Sequence, residues 1–433
     1  PKAITFEGNA WYKASIEPFM LADQGCPMAH CDNRMSDGLN MDVPEGNNIG
    51  IVWSDRTNDL ESKSIWGASN GSRVAVTFSK GPELVVYDYY GKQLWSSSVL
   101  NRDAFWSGPM IAEDGSVIAA DTNRIVRFDS NGNVVWNTLT PGGRPICPVI
   151  TDNNKFIFIA PQRGPVSAYD NVTGKMIGEL WIKKDKQDAG YFQTLNTPSV
   201  NGDRVYVSME YIDKNRKVGS GGRLVAIDIT SEGFHVKWHY PLPDRIARSG
   251  ASPLRIGDKL YFDSYDYENN EPSNPQIHCI RDAGDTWEKI WQHPVDSRVK
   301  ASLARDPRGG VWYYTDGKGV LTRRNEATGE IIEPQIEIND LLDSSDFFSP
   351  SSVMSIGGPP MEPIMIVSVT NEQNDSYNIA INLNSQRLVY KVFFRGTAEG
   401  SQAIISNGQD NRVIFTTTSR DDINGGIICL GKK

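Results

Sequence analysis

The chain has 433 residues, a formal net charge of -9, and 39% hydrophobic residues of which aromatics supply a good share. That apolar content suffices for a sizeable core, and the acidic balance excludes a nucleic-acid binder, whose phosphate contacts need a basic face. No apolar run approaches the ~20 residues that a membrane helix requires, so no transmembrane segment is expected.

Residues 1–48 hold Trp11, Tyr12 and Phe19 but show no clear period. Their aromatics need burial, so this stretch reads as an ordered arm that caps the body. Its densest group is Cys26-Pro27-Met28-Ala29-His30-Cys31-Asp32-Asn33-Arg34-Met35-Ser36-Asp37. Cys26 and Cys31 lie in an irregular, Gly/Pro-flanked stretch, and three readings are open. They close a small disulfide loop, they bind a soft metal such as copper, or they simply pack. The spacing matches no common zinc pair, and no metal site is assigned. A disulfide implies an oxidising compartment, hence a periplasmic or secreted protein. The start at Pro1, with no signal peptide, fits a mature or trimmed chain. The remaining cysteines, Cys147, Cys279 and Cys429, sit in apolar runs and read as buried free thiols.

From residue 49 the chain becomes repetitive. Ile49-Gly50-Ile51-Val52-Trp53 is a short strand ending in Trp with no partner strand before it. Then a β-rich segment recurs, from Arg73-Val74-Ala75-Val76-Thr77 through Phe156-Ile157-Phe158-Ile159 to Val413-Ile414-Phe415, at intervals of ~40 to 55 residues. Most copies precede a hairpin of one phrase, an apolar run to Asp, a Gly turn, and a second run to Trp. Phe128-Asp129-Ser130-Asn131-Gly132-Asn133-Val134-Val135-Trp136 is the clearest case, because Asn-Gly between apolar runs is a strong hairpin signal. Four-stranded units at this spacing are propeller blades. The last unit, ending in Gly426-Ile427-Ile428-Cys429-Leu430, lacks its final strand, and the strand ending in Trp53 supplies it. The prediction is an all-β fold: a single eight-bladed β-propeller of four-stranded antiparallel blades over 49–433, closed by the N-terminal strand and capped by an irregular arm. Closure removes the free sheet edges of an open array. No helix is expected beyond one short turn near Asn339 to Asp343.

These residues also carry a resemblance. Ala168-x-Asp170-x-x-Thr173-Gly174-Lys175 resembles the blade motif of the pyrroloquinoline-quinone (PQQ) repeat propellers. The strand-ending Trp53, Trp95, Trp136, Trp238 and Trp291 are similar to that family's docking tryptophans, which brace neighbouring blades. The resemblance implies the fold. For function it implies three classes: quinoprotein dehydrogenases, quinone-free enzymes and protein-binding scaffolds. The dehydrogenases carry a vicinal disulfide that is missing here, so no bound cofactor is expected. PQQ with calcium, or copper, stand as minority alternatives.

A propeller builds sites on the loops that lead into its innermost strands and on the loops between second and third strands. The first kind carries Arg102 with Trp106, Arg144, Tyr191, Arg245 and Arg248, Arg298 with Lys300, Glu399, and Arg56 on the closing loop. Such a cluster reads as a cationic funnel that orients a small anionic or polar ligand, or as inter-blade clamps paired with neighbouring aspartates. Tyr265 lies on a long loop of the second kind. The arm would present His30, Asp32 and Arg34 at the same mouth. His30 is the favoured acid or base because its pKa lies near working pH, with Tyr191 and Tyr265 as alternative proton donors. The leading expectation is a ligand-binding propeller without bound PQQ, its oligomeric state and chemistry open. Its rivals are a non-catalytic protein-binding scaffold and a true quinoprotein dehydrogenase.

Overall fold

The computed structural model describes residues 2–7, 10–15, 17–56, 63–242, 249–268, 271–344, 346–418 and 425–433. Eight antiparallel sheets form the blades of a propeller, and in seven of them the strands run from innermost to outermost in chain order. Blade 1 comprises Gly67–Ser69, Arg73–Thr77, Leu84–Asp88 and Gln93–Ser97. Blade 2 ends at Leu139, blade 3 at Leu180, blade 4 at Pro241, blade 5 at Pro294, blade 6 at Glu337 and blade 7 at Arg395. Blade 8 takes Ala403–Ser406, Asn411–Thr417 and Gly426–Lys432 from the end of the chain, and Ile49–Arg56 from its beginning. Trp53 stands opposite Cys429 and Ile51 opposite Leu430, the pairing expected from the sequence. The ring then closes through the inner strands of blades 8 and 1, where Ser69 Oγ donates to the Ile404 carbonyl at 2.8 Å.

The middle strands are apolar on both faces because each blade packs a neighbour on either side. Phe156–Ile159 is buried throughout, as is Val117–Ala120. The repeat phrase has a physical cause at each position. The Asp carboxylate closes the hairpin turn: Asp129 Oδ1 accepts from the backbone of Asn131 and Asn133, both at 2.9 Å. Gly132 then takes φ +85°, and the Trp95 ring of the preceding blade lies directly against it. Trp95 Nε1 donates to the Ser130 carbonyl in the same turn at 3.2 Å. The arrangement repeats with Trp53 on the turn of blade 1, Trp136 on that of blade 3 and Trp291 on that of blade 6. A β-bulge beside the docking residue, as between Val86 and Tyr87, recurs in most outer-strand pairings and re-aims the Trp toward the next blade.

Regular helix among the described residues is confined to Ile338–Leu342 and a 3-10 turn over Arg102–Trp106. No described helix is long and apolar enough to cross a membrane. The first residues of the arm, read as irregular, instead include a hairpin of Lys2–Glu7 with Ala10–Ser15.

Candidate functional site

The arm does not merely lie on the propeller. It winds through the axis, bonding the innermost strands by its backbone. Cys26 exchanges both backbone hydrogen bonds with Ser69 of blade 1, and the amide of Ile111 in blade 2 donates to the Pro27 carbonyl. From Asn33 onward the chain steps around the ring in order. The carbonyls of Asn33, Arg34, Ser36 and Asp37 accept from Val200 of blade 4, Arg255 of blade 5, Arg305 of blade 6 and Ile356 of blade 7. Arm and inner strands thereby satisfy polar groups that burial would otherwise leave unpaired. A Cys26–Cys31 disulfide staples the coil, and His30, Cys31, Met35 and Asp37 all take left-handed backbone conformations, with φ between 54° and 67°. Non-glycine residues adopt this region at a cost, and the dense surrounding contacts hold it.

His30 sits at the centre, fully buried. Its Nδ1 lies 3.1 Å from Asp37 Oδ1, and its Nε2 lies 3.0 Å from Ser252 Oγ and 3.5 Å from Ser302 Oγ. Burial pushes the Asp37 carboxyl up to about 6, partly offset by the neighbouring His30. Both ring nitrogens are engaged, while the ring meets Trp66 edge-on at 5.3 Å.

Above His30 is a cavity of about 240 Å³. Its walls are the loops leading into the inner strands, with Trp66, Trp106, Cys147, Asn196, Lys300 and Glu399 among them. Asn196 Nδ2 donates to the carbonyls of Gly250 and Ala301, tying three loops together. Cys147 is a buried thiol, held protonated because burial pushes its pKa up to about 11. Cys279 and Cys429 are also buried and free.

The remaining expected site residues are dispersed. Trp106 lines the cavity, and Arg144 stacks on it at 4.6 Å from the ring centre. Arg102 is exposed on its 3-10 turn. Arg298 and Lys300 share one counter-ion, Asp316, at 2.7 and 3.5 Å, so these two cations serve as a clamp within their blade. Tyr265 is buried and engages Arg298, while Tyr191 packs on Trp181 at 5.1 Å, away from the cavity. Arg245 and Arg248 lie outside the described residues.

Asp32 and Arg34 were expected beside His30 at one mouth, and the structure puts them at the other end of the channel. They border cavities formed with Arg255, inside the inner strand Leu254–Ile256, and with Asp152 and Pro307, which belong to turns after the inner strands rather than before them. The arm crosses the axis between the two ends. Asp32 accepts from the backbone of Arg34 and Ser36 and from the Ser36 hydroxyl, so its carboxylate organises the arm's own turn. Sequence reasoning missed Trp66 and the Asp37–His30–Ser252 line. Trp66 precedes an inner strand as Trp106 does, and that position was a usable signal. Ser252 carried none.

The geometry defines an eight-bladed propeller whose own arm divides the axis into a loop-face cavity and an opposite face. The family model described as outer membrane protein assembly factor BamB matches residues 46–283, and the chain belongs to this PQQ-repeat propeller family. No curated protein matches the sequence. Among solved structures, BamB from Moraxella catarrhalis is similar with a TM-score of 0.54 at 14% identity, covering 89% of this chain and 98% of that one. Quinohemoprotein alcohol dehydrogenase from Comamonas testosteroni gives 0.56 at 12% identity, with 94% and 80% covered. The computationally designed Ika8 protein gives 0.57 at 10% identity, with 88% and 99% covered. An assembly factor, an enzyme and a design score alike, so the likeness speaks for the fold alone.

Proposed function

We propose that this propeller binds a small polar molecule in the loop-face cavity, without a bound quinone, and that it works in an oxidising compartment such as the periplasm or the cell exterior. The observation that carries the reading is the floor. The stapled arm makes the cavity blind and pre-organised, and pre-organisation lowers the entropic cost of binding. Trp66 and Trp106 offer aromatic faces for a ring or cation. Glu399 and Lys300 bring opposite charges to the same lining, which suits a ligand bearing both donors and acceptors. His30 has both nitrogens engaged, which favours binding over acid–base chemistry.

The described lining is a poor match for PQQ, a polycarboxylate quinone. Lys300 is the lining's one described Lys or Arg, it is shared with Asp316, and Glu399 opposes an anion. Among the described residues no three His, Cys, Asp or Glu side chains converge to hold a metal ion.

The test is a thermal-stability screen with amines, amino acids, carboxylates, sugars, and PQQ with calcium. A ligand of this site raises the melting point by mass action, and Trp66→Ala and Glu399→Gln each remove the rise. A rise that both variants retain sinks the proposal. A rise with PQQ and calcium would favour the quinoprotein reading.

A second reading, a protein-binding scaffold, has its own support. The channel is filled by the arm, and the family description names an assembly factor. The paired strands Arg204–Ile212 with Val218–Thr230, and Lys259–Glu268 with Glu271–Asp282, are also longer than their counterparts in other blades. A screen in which no small molecule shifts the melting point would favour it.

A further inference from the structure

Away from the axis, a groove of about 470 Å³ runs between the outer parts of blades 3 and 4. We infer that this groove is a second binding site, for an organic anion that joins a carboxylate to an apolar body. Arg223 carries the argument. Its guanidinium carbon lies over the Phe192 ring, 3.9 Å from the ring centroid. Among the described residues it makes no ion pair and no side-chain hydrogen bond, and its Nε is buried without a partner. Burial lowers its pKa, the sign of a desolvated cation that no carboxylate compensates.

A guanidinium seated on an aromatic ring is restrained, and its planar fork is suited to receive a carboxylate in two parallel bonds. The surroundings reinforce the sign. His239 faces the same groove, its pKa lowered by burial and by the Arg223 charge. Lys183, Lys184 and Lys186 line it too. Asp185 is the one described carboxylate in the lining, and it receives the Gln187 amide at 2.8 Å. On a chain of net charge -9, this is a local reversal of sign.

The apolar half is equally defined. Trp181 is 41% exposed and Val236 46% exposed at the groove, with Leu180, Ile182 and Val225 beneath them. Trp181 meets Tyr191 in a T-shaped pair at 5.1 Å, which restrains the indole while leaving much of it exposed. Inorganic phosphate would meet the charge but leave this surface uncovered. A neutral aromatic would cover the surface but leave Arg223 unpaired. Only a ligand with both parts answers both features.

The experiment is calorimetric titration of the full chain with 2-naphthoate, 2-naphthamide and inorganic phosphate. Naphthoate is expected to bind about tenfold or more tighter than either control, the scale of one charge-assisted pair. Arg223→Gln is expected to weaken naphthoate to the level of naphthamide, and Trp181→Ala to weaken it several-fold. Arg223→Lys keeps the charge and the stem but not the fork, and a several-fold loss is expected there as well. Trp66→Ala leaves naphthoate affinity unchanged, which separates this site from the axial cavity. Equal binding of naphthoate and naphthamide, or full affinity in both Arg223 variants, overturns the inference. Loss of naphthoate binding in Trp66→Ala also overturns it, by moving the ligand to the axis.

Discussion

The docking of Trp95 on Gly132 makes a demanding prediction. A Cβ added at Gly132 would fall 2.8 Å from Trp95 Cδ2 and 2.9 Å from Cε3, inside any permitted contact. Two penalties follow from Gly132→Ala. The left-handed backbone at φ +85° costs an alanine about 1 kcal/mol, partly offset by the reduced freedom of the unfolded chain. The overlap with a ring that is almost fully buried adds about 1–3 kcal/mol, because neither the ring nor the turn can retreat without opening the blade interface. Gly202 is the control: it has φ +63° and nothing within 4 Å of an added Cβ, so Gly202→Ala carries the backbone penalty alone. Denaturant unfolding at equal m-value should therefore place Gly132→Ala about 2–4 kcal/mol below the parent and Gly202→Ala about 1 kcal/mol below. A double-mutant cycle isolates the contact. In a Trp95→Ala background the excess cost of Gly132→Ala should vanish. Equal costs at the two glycines, or an excess that survives loss of the ring, would refute docking as the reason for the repeated turn glycine.

Replacing Cys26 and Cys31 together by Ser should cost about 2 kcal/mol, the loop-closure entropy expected for so short a loop, and should speed proteolysis within the arm. Mass measurement of the unfolded parent, alkylated with and without prior reduction, should show two additional labels after reduction; an unchanged count would remove the staple. Stability should also respond to two buried carboxyls, Asp37 and Asp263, both pushed up to about 6 by burial from 3.8. Because the folded state holds these protons more tightly than the unfolded chain, their contribution is complete below pH 3.8 and lost as pH rises through 6. Asp263→Asn should therefore lose less stability than the parent between pH 4 and pH 7 in parallel melts. A parent and variant with identical pH profiles would contradict the assignment.

Much of the scaffold was legible because its signals are local. The Asp and Gly of each hairpin act within five residues of each other, and the continuous apolar runs report burial strand by strand. Even ring closure could be read, since an unpaired first strand and an incomplete last unit need each other wherever they lie in the chain. The cysteines followed the same logic: Cys26 and Cys31 are near neighbours, whereas Cys147, Cys279 and Cys429 belong to continuous apolar strands. The site was less legible. Loop positions left a cationic funnel and aspartate-paired clamps both open; Arg298 and Lys300 both turn to Asp316, and Arg102 is exposed and outside the cavity lining. Which carboxylate an arginine meets depends on how the loops of a folded blade come together, here across the 18 residues between Arg298 and Asp316, which no local pattern encodes.

The sequence by itself determined the blade count, the closing strand, the hairpin phrase with its strand-ending tryptophans, and the family to which the chain belongs. Only the tertiary structure decided what the arm does. Residues 17–48 have no period, so nothing in their order announces a path from one inner strand to the next around the axis. His30 and Asp32 are two residues apart, yet one is buried beneath the loop-face cavity and the other borders the opposite face. Unpaired backbone groups at the axis recruit this segment, and those groups converge only after the ring has closed.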